Sequence, residues 1–413
     1  FVGRSADQQH CRERQHRRLE RGRGDLATAR CQRCATAQEC RLSLEKCSGD
    51  WVLVLDADEA IDTADHQTIR SLIAQEREPA YRFCCRNYLT SATQTILDGA
   101  PALNDSHYTI GREHQYYVDY VIHTRLFRRF ADVRFSGRIH EVVDSYFENR
   151  GMPVGISTAV IHHFGKLDTE REPYKKDFYL RLCEEEVRAR PDNYLALFNL
   201  ILQSQSAQKW DLCLDAVHKF VAIRKTVPAL VRIAAGMSYL NLGDTASAEN
   251  SLEEALKLEP ANANALTLKA NCLVAKRFLQ QACECLEAAI AAQRSYSVPR
   301  INLAEVKIMM GKPKEAREIL LSGICETPKE EIFYTKLVQL DFQMGQLKQA
   351  GTSAALAISK FPSGGDGLWH RILAMSLLQE GNTSEALNTV DSGCKAFPTN
   401  ESLLRLRTLC SQQ

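Results

Sequence analysis

From about Tyr194 to Phe397 the small and apolar residues keep a regular beat. Ala248, Ala282, Ala316 and Ala350 lie 34 residues apart, and Ala386 follows after 36. Gly243, Gly311, Gly345 and Gly381 hold the same phase, as do Pro260, Pro328, Pro362 and Pro398. The pattern predicts pairs of helices. A small residue (Gly236, Ala270, Ala304, Ala374) sits where the first helix of a pair crosses the second. The glycine ends the first helix, the alanine packs the second back onto it, and the proline breaks the chain before the next pair. No pair can bury its apolar face alone, so the pairs are expected to stack, with a last helix over 401–411 capping the array.

Upstream the texture changes. Residues 51–55 read as a short buried strand after a Gly49-Asp50 turn, and 63–76 as an amphipathic helix with Ile69, Leu72 and Ile73 on one face. Residues 80–88, 116–122, 124–130 and 159–164 read as strands, which predicts a mixed α/β layer. A charged helix over 173–190 is expected to bridge into the repeats. Residues 1–40 hold nine Arg, no Lys and almost no apolar periodicity. A segment so poor in apolar side chains is expected not to order itself. It reads as the start of a fragment, or as an incorrectly translated stretch joined near Arg41. The domain division expected is therefore 1–40, 41–168, 169–193 and 194–413.

Composition narrows the classes. A formal net charge of +1 gives no electrostatic reason to expect nucleic acid or a membrane surface as partner. No apolar run approaches the roughly 18 residues of a transmembrane segment, and no signal-peptide pattern opens the chain. The 15 cysteines are scattered, six of them inside the helical repeats, which fits buried thiols and a cytoplasmic location. Cys31 and Cys34, with Cys40 and the His10-Cys11 pair, could be read as a zinc cluster, but no second CxxC at matching distance supports that.

Chemistry concentrates in three runs. The strand Trp51-Val-Leu-Val-Leu ends in Asp56-Ala-Asp58-Glu59. An apolar run of that kind suits a strand buried on both faces, and acids at its carboxyl end lie where open α/β sheets bind ligands. Asp56 and Asp58, two apart in an extended chain, would project together. Two hard oxygen donors there suit Mg²⁺ or Mn²⁺; the competing reading is one Asp capping the next helix and the others solvated. In Arg134-Phe-Ser-Gly-Arg-Ile-His140-Glu141, Gly137 permits a bend that brings His140 and Glu141 to the rim of the sheet. Glu141 could then act as a general base, or the run is a surface turn. His162 and His163 close a strand and point to opposite sides, so at most one faces the crevice, as a metal ligand or a phosphate contact. Arg125, with Arg128 and Arg129, could touch phosphates or line a solvated strand face.

The 34-residue period resembles that of the tetratricopeptide repeat. Taken together, 49–59, 125–127, 135–141 and 161–165, followed by those repeats, resemble the family 2 glycosyltransferases of GT-A fold fused to tetratricopeptide repeats. The resemblance implies a partial GT-A-like mixed sheet with flanking helices, followed by an all-α repeat solenoid. It implies that Asp56 and Asp58 form a DxD motif binding the divalent metal and a nucleoside-diphosphate sugar, with Arg125 near the donor. It places Glu141, with His140, near the acceptor as catalytic base, and His162 or His163 near the metal. The implied reaction is metal-dependent, inverting sugar transfer to a protein or glycan acceptor, with a protein partner in the repeat groove. The alternative is a non-catalytic repeat scaffold carrying an incomplete transferase domain. Groove positions inferred from the repeat phase are Leu230, Ile233, Met237, Asn271, Glu305, Met309 and Gln339.

Overall fold

The computed structural model of the chain describes residues 26–31, 44, 46–95, 99–136, 142–167 and 172–410, with 26–31, 122 and 172–176 described as backbone. These fall into two compact units. One holds the described residues up to Thr90 and from Gln94 to Leu258; the other holds Ser91–Thr93 and Glu259–Gln413.

The first unit is built on a mixed sheet. Its strands are β1 (Leu26–Cys31), β2 (Trp51–Asp56), β3 (Glu59–Ile61), β4 (Ala80–Leu89), β5 (Ala102–Leu103), β6 (Tyr116–Arg128) and β7 (Gly155–His163). They lie in the order β1-β2-β6-β4-β7-β3, with β5 on β6. β1 falls inside the segment expected to carry no order, yet its backbone runs parallel to β2 from Leu26↔Trp51 to Cys31↔Asp56. β2 has β6 antiparallel on its other side.

Alternation along β2 explains why so short a strand is fully committed. Trp51 and Leu53 join Ile61, Phe83, Leu126 and Ile161 in one core, with Ile69 of helix α1 (His66–Gln75). Val52 and Val54 join Ala80, Phe127 and Val133 in a second core, with Phe147 of the short helix α2 (Asp144–Glu148). Side chains on both faces are buried, as the unbroken apolar run requires.

Where two strands were expected, over 116–122 and 124–130, β6 is continuous but irregular. Its register with β4 shifts between Tyr81/Arg82 and Arg82/Cys84. An irregularity frees backbone groups that must find partners. Buried Asp144 supplies one: its carboxylate accepts from the Thr124 N–H at 3.1 Å, from Thr124 Oγ1 at 3.1 Å and from Arg82 Nε at 3.2 Å.

Helix α3 (Glu172–Ala189) is no free bridge. Its Leu180, Cys183 and Val187 share a core with α4 (Tyr194–Ser206), α5 (Trp210–Ile223) and α6 (Ala229–Asn241). With α7 (Thr245–Leu258) these complete the first unit, so its boundary falls at Leu258 rather than near residue 168. The second unit continues with α8 (Ala263–Ala275), α9 (Leu279–Ala292), α10 (Ser297–Met309), α11 (Pro313–Glu326), α12 (Glu331–Gln343), α13 (Leu347–Lys360), α14 (Leu368–Gln379), α15 (Thr383–Ala396) and α16 (Glu401–Cys410).

Ala248, Ala282, Ala316, Ala350 and Ala386 are all fully buried. Gly236 sits against Leu252, where an added Cβ would stand 2.6 Å from Leu252 Cγ. Gly243, Gly311, Gly345 and Gly381 take positive φ, from +72° to +86°, one residue past the helix cap. The missing members of that series, Gln208 and Arg277, adopt the same left-handed conformation at φ +57° and +65° without being glycine. An ion pair on a buried carboxylate spans neighbouring repeats: Arg317 Nε of α11 donates to Asp341 Oδ1 of α12 at 2.7 Å, and Ser353 Oγ of α13 donates to its Oδ2 at 2.7 Å.

Candidate functional site

β2 ends at Asp56, the chain turns through Ala57 and Asp58, and β3 begins at Glu59. Asp56 and Asp58 therefore do not sit two apart on one extended strand. Each faces its own partner. Asp56 Oδ2 lies 3.6 Å from Arg125 Nη1, and Asp58 Oδ2 lies 3.6 Å from His163 Nε2. Both carboxylates are about half exposed. They still share one neighbourhood: burial first, and then the charges of Asp56 and Asp58, hold the Tyr179 phenol of α3 above its ordinary pKa.

Arg125, expected to reach a phosphate, is instead committed inward. Its Nη2 donates to Glu59 Oε1 at 2.8 Å, while the Asp56 N–H donates to Glu59 Oε2 at 2.8 Å. Glu59 is buried, and burial pushes its carboxyl above the usual carboxylate range against the pull of Arg125. A buried carboxylate needs such a counter-charge, so Arg125 is accounted for by Glu59.

The two histidines separate as alternation on β7 demands. His162 is fully buried, its Nδ1 2.8 Å from Tyr88 Oη, which in turn donates to the Ile110 carbonyl at 3.0 Å. Tyr88 has one proton to give, so His162 carries hydrogen on Nδ1. Its Nε2 is buried with no partner among the described residues. Tyr108 meets the ring edge-on at 4.7 Å. Burial first, and then the Arg86 charge, push its pKa down to about 4. His162 is a core residue, which corrects its expected place among the metal ligands.

His163 faces the acids. Its Nδ1 lies 2.6 Å from Asn87 Oδ1, and the Asn87 amide nitrogen donates to the Cys85 carbonyl at 3.1 Å. That network puts a ring proton on Nδ1, in the neutral ring and the imidazolium alike, and turns Nε2 toward Asp58. Asp58 Oδ2 and His163 Nε2 face each other across 3.6 Å, an ion pair when the ring is protonated and a seat for a cation only when it is neutral. Gly165 keeps the seat open, since a Cβ there would stand 2.5 Å from Asp58 Oδ2 and 2.6 Å from His163 Nε2. Among the described residues no cluster of three or more His, Cys, Asp or Glu side chains is arranged to hold a metal ion. The donor set is thus two side chains. That fits Mg²⁺ or Mn²⁺ only where substrate oxygens complete the shell.

His140 and Glu141 lie outside the described residues. Their flanks do not: Ser136 and Val142 are joined by two backbone hydrogen bonds of 2.8 and 3.0 Å. Sequence reasoning missed Asn87, which orients His163 from 76 positions away. It also missed Asp62, whose carboxylate accepts the N–H groups of Thr109 and Ile110 at 2.8 and 2.9 Å. No local motif announces either residue; an Asn closing a strand and an Asp opening a helix look ordinary.

In the second unit, helices α10 and α12 flank a cavity of about 200 Å³ lined by Glu305, Ile308, Lys336, Gln339 and Gln343. Of the expected groove residues, Asn271, Glu305, Met309 and Gln339 are exposed and Leu230 and Met237 half-buried. Ile233 is fully buried, which corrects its expected place in the groove. Among the described residues no helix is long and apolar enough to cross a membrane. Cys213, Cys272 and Cys283 are buried thiols, whereas Cys325 is exposed.

Residues 233–300 match the family model for the tetratricopeptide repeat. A segment of 91 residues is 31% identical to pre-mRNA-splicing factor 6 of Saccharomyces cerevisiae, covering 22% of this chain and 10% of that protein. The chain thus spans about a tenth of the length of that curated relative. Similar solved structures include the C-terminal part of a repeat-containing protein from Cytophaga hutchinsonii. It is 12% identical, with 57% of this chain and 98% of that one covered and a TM-score of 0.47. Another is a tetratricopeptide repeat protein from Parabacteroides merdae, 17% identical, with 59% and 98% covered and a TM-score of 0.40. Beat, paired helices and family match make the C-terminal region a tetratricopeptide-repeat array.

Proposed function

We propose that this chain is a protein-binding repeat scaffold that carries an α/β region. The observation that carries the reading is a row on the first helices of successive pairs. Asn271, Glu305 and Gln339 stand 34 residues apart and all are exposed. They are tied to one another's helices rather than to the second helices: Asn302 donates to Asn271 at 3.0 Å and Lys336 to Glu305 at 2.7 Å. The apolar Ile308 and the amides of Gln339 and Gln343 line the cavity between them. Stacked helix pairs present such a row as a continuous face, and its mixed lining suits a segment with apolar anchors and polar flanks. Photo-crosslinkers placed at Gln339 and at Glu318, an exposed residue of α11, test it in cells making the chain. Capture of the same partner from Gln339 and not from Glu318 supports the reading; equal capture from both overturns it.

A second reading rests on the seat between Asp58 and His163 that Gly165 keeps open. It is metal-dependent, inverting transfer of sugar from a nucleoside-diphosphate sugar to a protein or glycan acceptor. Asp58 and His163 would hold Mg²⁺ or Mn²⁺ together with diphosphate oxygens, and the metal would stabilise charge on the departing diphosphate. Asp56, held by Arg125, would border the donor. Mn²⁺ binding followed by electron paramagnetic resonance, alongside nucleoside-diphosphate release, tests it. Loss of both in Asp58→Ala supports the reading. No Mn²⁺ binding by the unaltered chain ends it.

A further inference from the structure

The second unit contains a piece of chain far from the rest in sequence. Ser91–Thr93, which follow β4 in the chain, belong to it together with Glu259–Gln413. The tripeptide is held by its main chain and by one side chain. The Ala92 N–H donates to Glu330 Oε1 at 2.8 Å, and Ser91 Oγ donates to Glu330 Oε2 at 2.7 Å. The Ala92 carbonyl accepts from the Ser297 N–H at 3.0 Å, at the first turn of α10. Donors in the first turn of a helix lack partners within it, so a carbonyl is a fitting occupant. Ala92 itself is fully exposure-free, and Ser297 and Thr327 are as buried as it is.

The occupant is shaped for this seat. Ser91 Oγ accepts from the Thr93 N–H at 3.1 Å, closing a local turn, and Thr93 Oγ1 lies 2.8 Å from Ser91 Oγ. With the Ser91 proton given to Glu330, the Thr93 hydroxyl supplies its own proton to Ser91. The notch therefore checks four things at once: a hydroxyl at the first position, an N–H and a carbonyl at the second, and a side chain no larger than a methyl. Burial of Glu330 strengthens the contrast, because a buried carboxylate left without its donors is costly.

We propose that Glu330 and the Ser297 N–H form a peptide-recognition notch in the repeat array, selective for a hydroxyl residue followed by alanine. Its resident occupant is the chain's own Ser91-Ala92-Thr93. Selectivity comes from exclusion as much as attraction, since any larger second residue must displace buried atoms. The notch is separate from the row through Asn271, Glu305 and Gln339, and neither reading of function depends on it.

Two measurements on the full chain test this. In Glu330→Ala, amide exchange at Ala92 is expected to speed at least tenfold, while exchange in α14 and α15 stays unchanged; an unaltered Ala92 rate overturns the proposal. In Ala92→Trp the resident tripeptide is expelled, so a labelled Thr-Ser-Ala-Thr-Gln peptide should bind at least tenfold better than to the unaltered chain. Adding Glu330→Ala should abolish that gain, and a peptide with Val for the central Ala should show none. Equal binding of the Ala and Val peptides, or a gain that survives Glu330→Ala, overturns the proposal.

Discussion

Gly243 and Arg277 occupy the same place in successive repeats and provide a matched pair for measuring what the left-handed cap costs. Both close the first helix of a pair by the same two bonds. Gly243 N–H reaches the Leu240 carbonyl at 3.1 Å and Asp244 N–H the Tyr239 carbonyl at 2.9 Å. Arg277 N–H reaches Val274 at 3.0 Å and Phe278 N–H reaches Leu273 at 2.9 Å. A Cβ on Gly243 would meet nothing within 4 Å, so Gly243→Ala changes backbone preference and not packing. An L-residue in this conformation costs about 1–2 kcal/mol. Removing glycine's freedom from the unfolded chain returns about 0.5–1 kcal/mol. Gly243→Ala should therefore destabilise by about 1 kcal/mol, and Arg277→Gly should stabilise by about 0.5–1 kcal/mol by the same reasoning reversed. Repeat arrays open locally, so the assay is amide exchange resolved to peptides within 229–258 and 263–292. One kcal/mol corresponds to about fivefold in the opening equilibrium. The reasoning is refuted if alanine at 243 leaves exchange unchanged, or if glycine at 277 accelerates it.

Other expectations follow from buried charge. His162, at about 4 in the folded chain against 6.5 for the free side chain, stays neutral while the unfolded chain takes up a proton. Its contribution is full above pH 6.5 and is lost as pH falls from there toward 4, by about 3 kcal/mol in all. Urea midpoints across that window should flatten in His162→Gln. Asp62, lowered to about 2 because the N–H groups of Ala64, Ile110 and Thr109 and the Thr109 hydroxyl outweigh its burial, contributes its full stabilisation above pH 3.8 and loses it as pH falls from there toward 2. Asp62→Asn should then bring its loss to neutral pH, seen as faster exchange at Thr109 and Ile110. Asp341→Ala leaves Arg317 without its carboxylate and should cost about 2–3 kcal/mol, at or below the low end for a buried pair because Arg317 is partly exposed. The double change Asp341→Leu with Arg317→Met should recover most of that in thermal melts.

The repeats were readable because a stacked helix pair imposes small residues at fixed places, and Ala248 through Ala386 could hardly be anything larger. The beat faltered at Gln208 and Arg277 because the cap demands a conformation, not a residue, and hydrogen bonds can hold a non-glycine there. In the α/β region β2 was legible, being apolar on both faces. The turn at Ala57–Asp58 was not: it depends on β3 finding β7, a pairing of residues about a hundred positions apart. The same reason hid the fates of Arg125 and His162. Spacing brings a side chain to a neighbourhood, while the buried partner, Glu59 or Tyr88, decides what is left for a ligand.

The bond from Arg317 to Asp341 also limits how freely this array can be rearranged. A solenoid whose neighbours met through aliphatic contacts alone would tolerate removal of any one module, because each junction would resemble the next. Here one junction carries an address. Excising a cassette of 34 residues that contains only one of the two partners would strand a charge, leaving the buried Asp341 or Arg317 without its counterpart. The order of modules is thereby fixed at one seam.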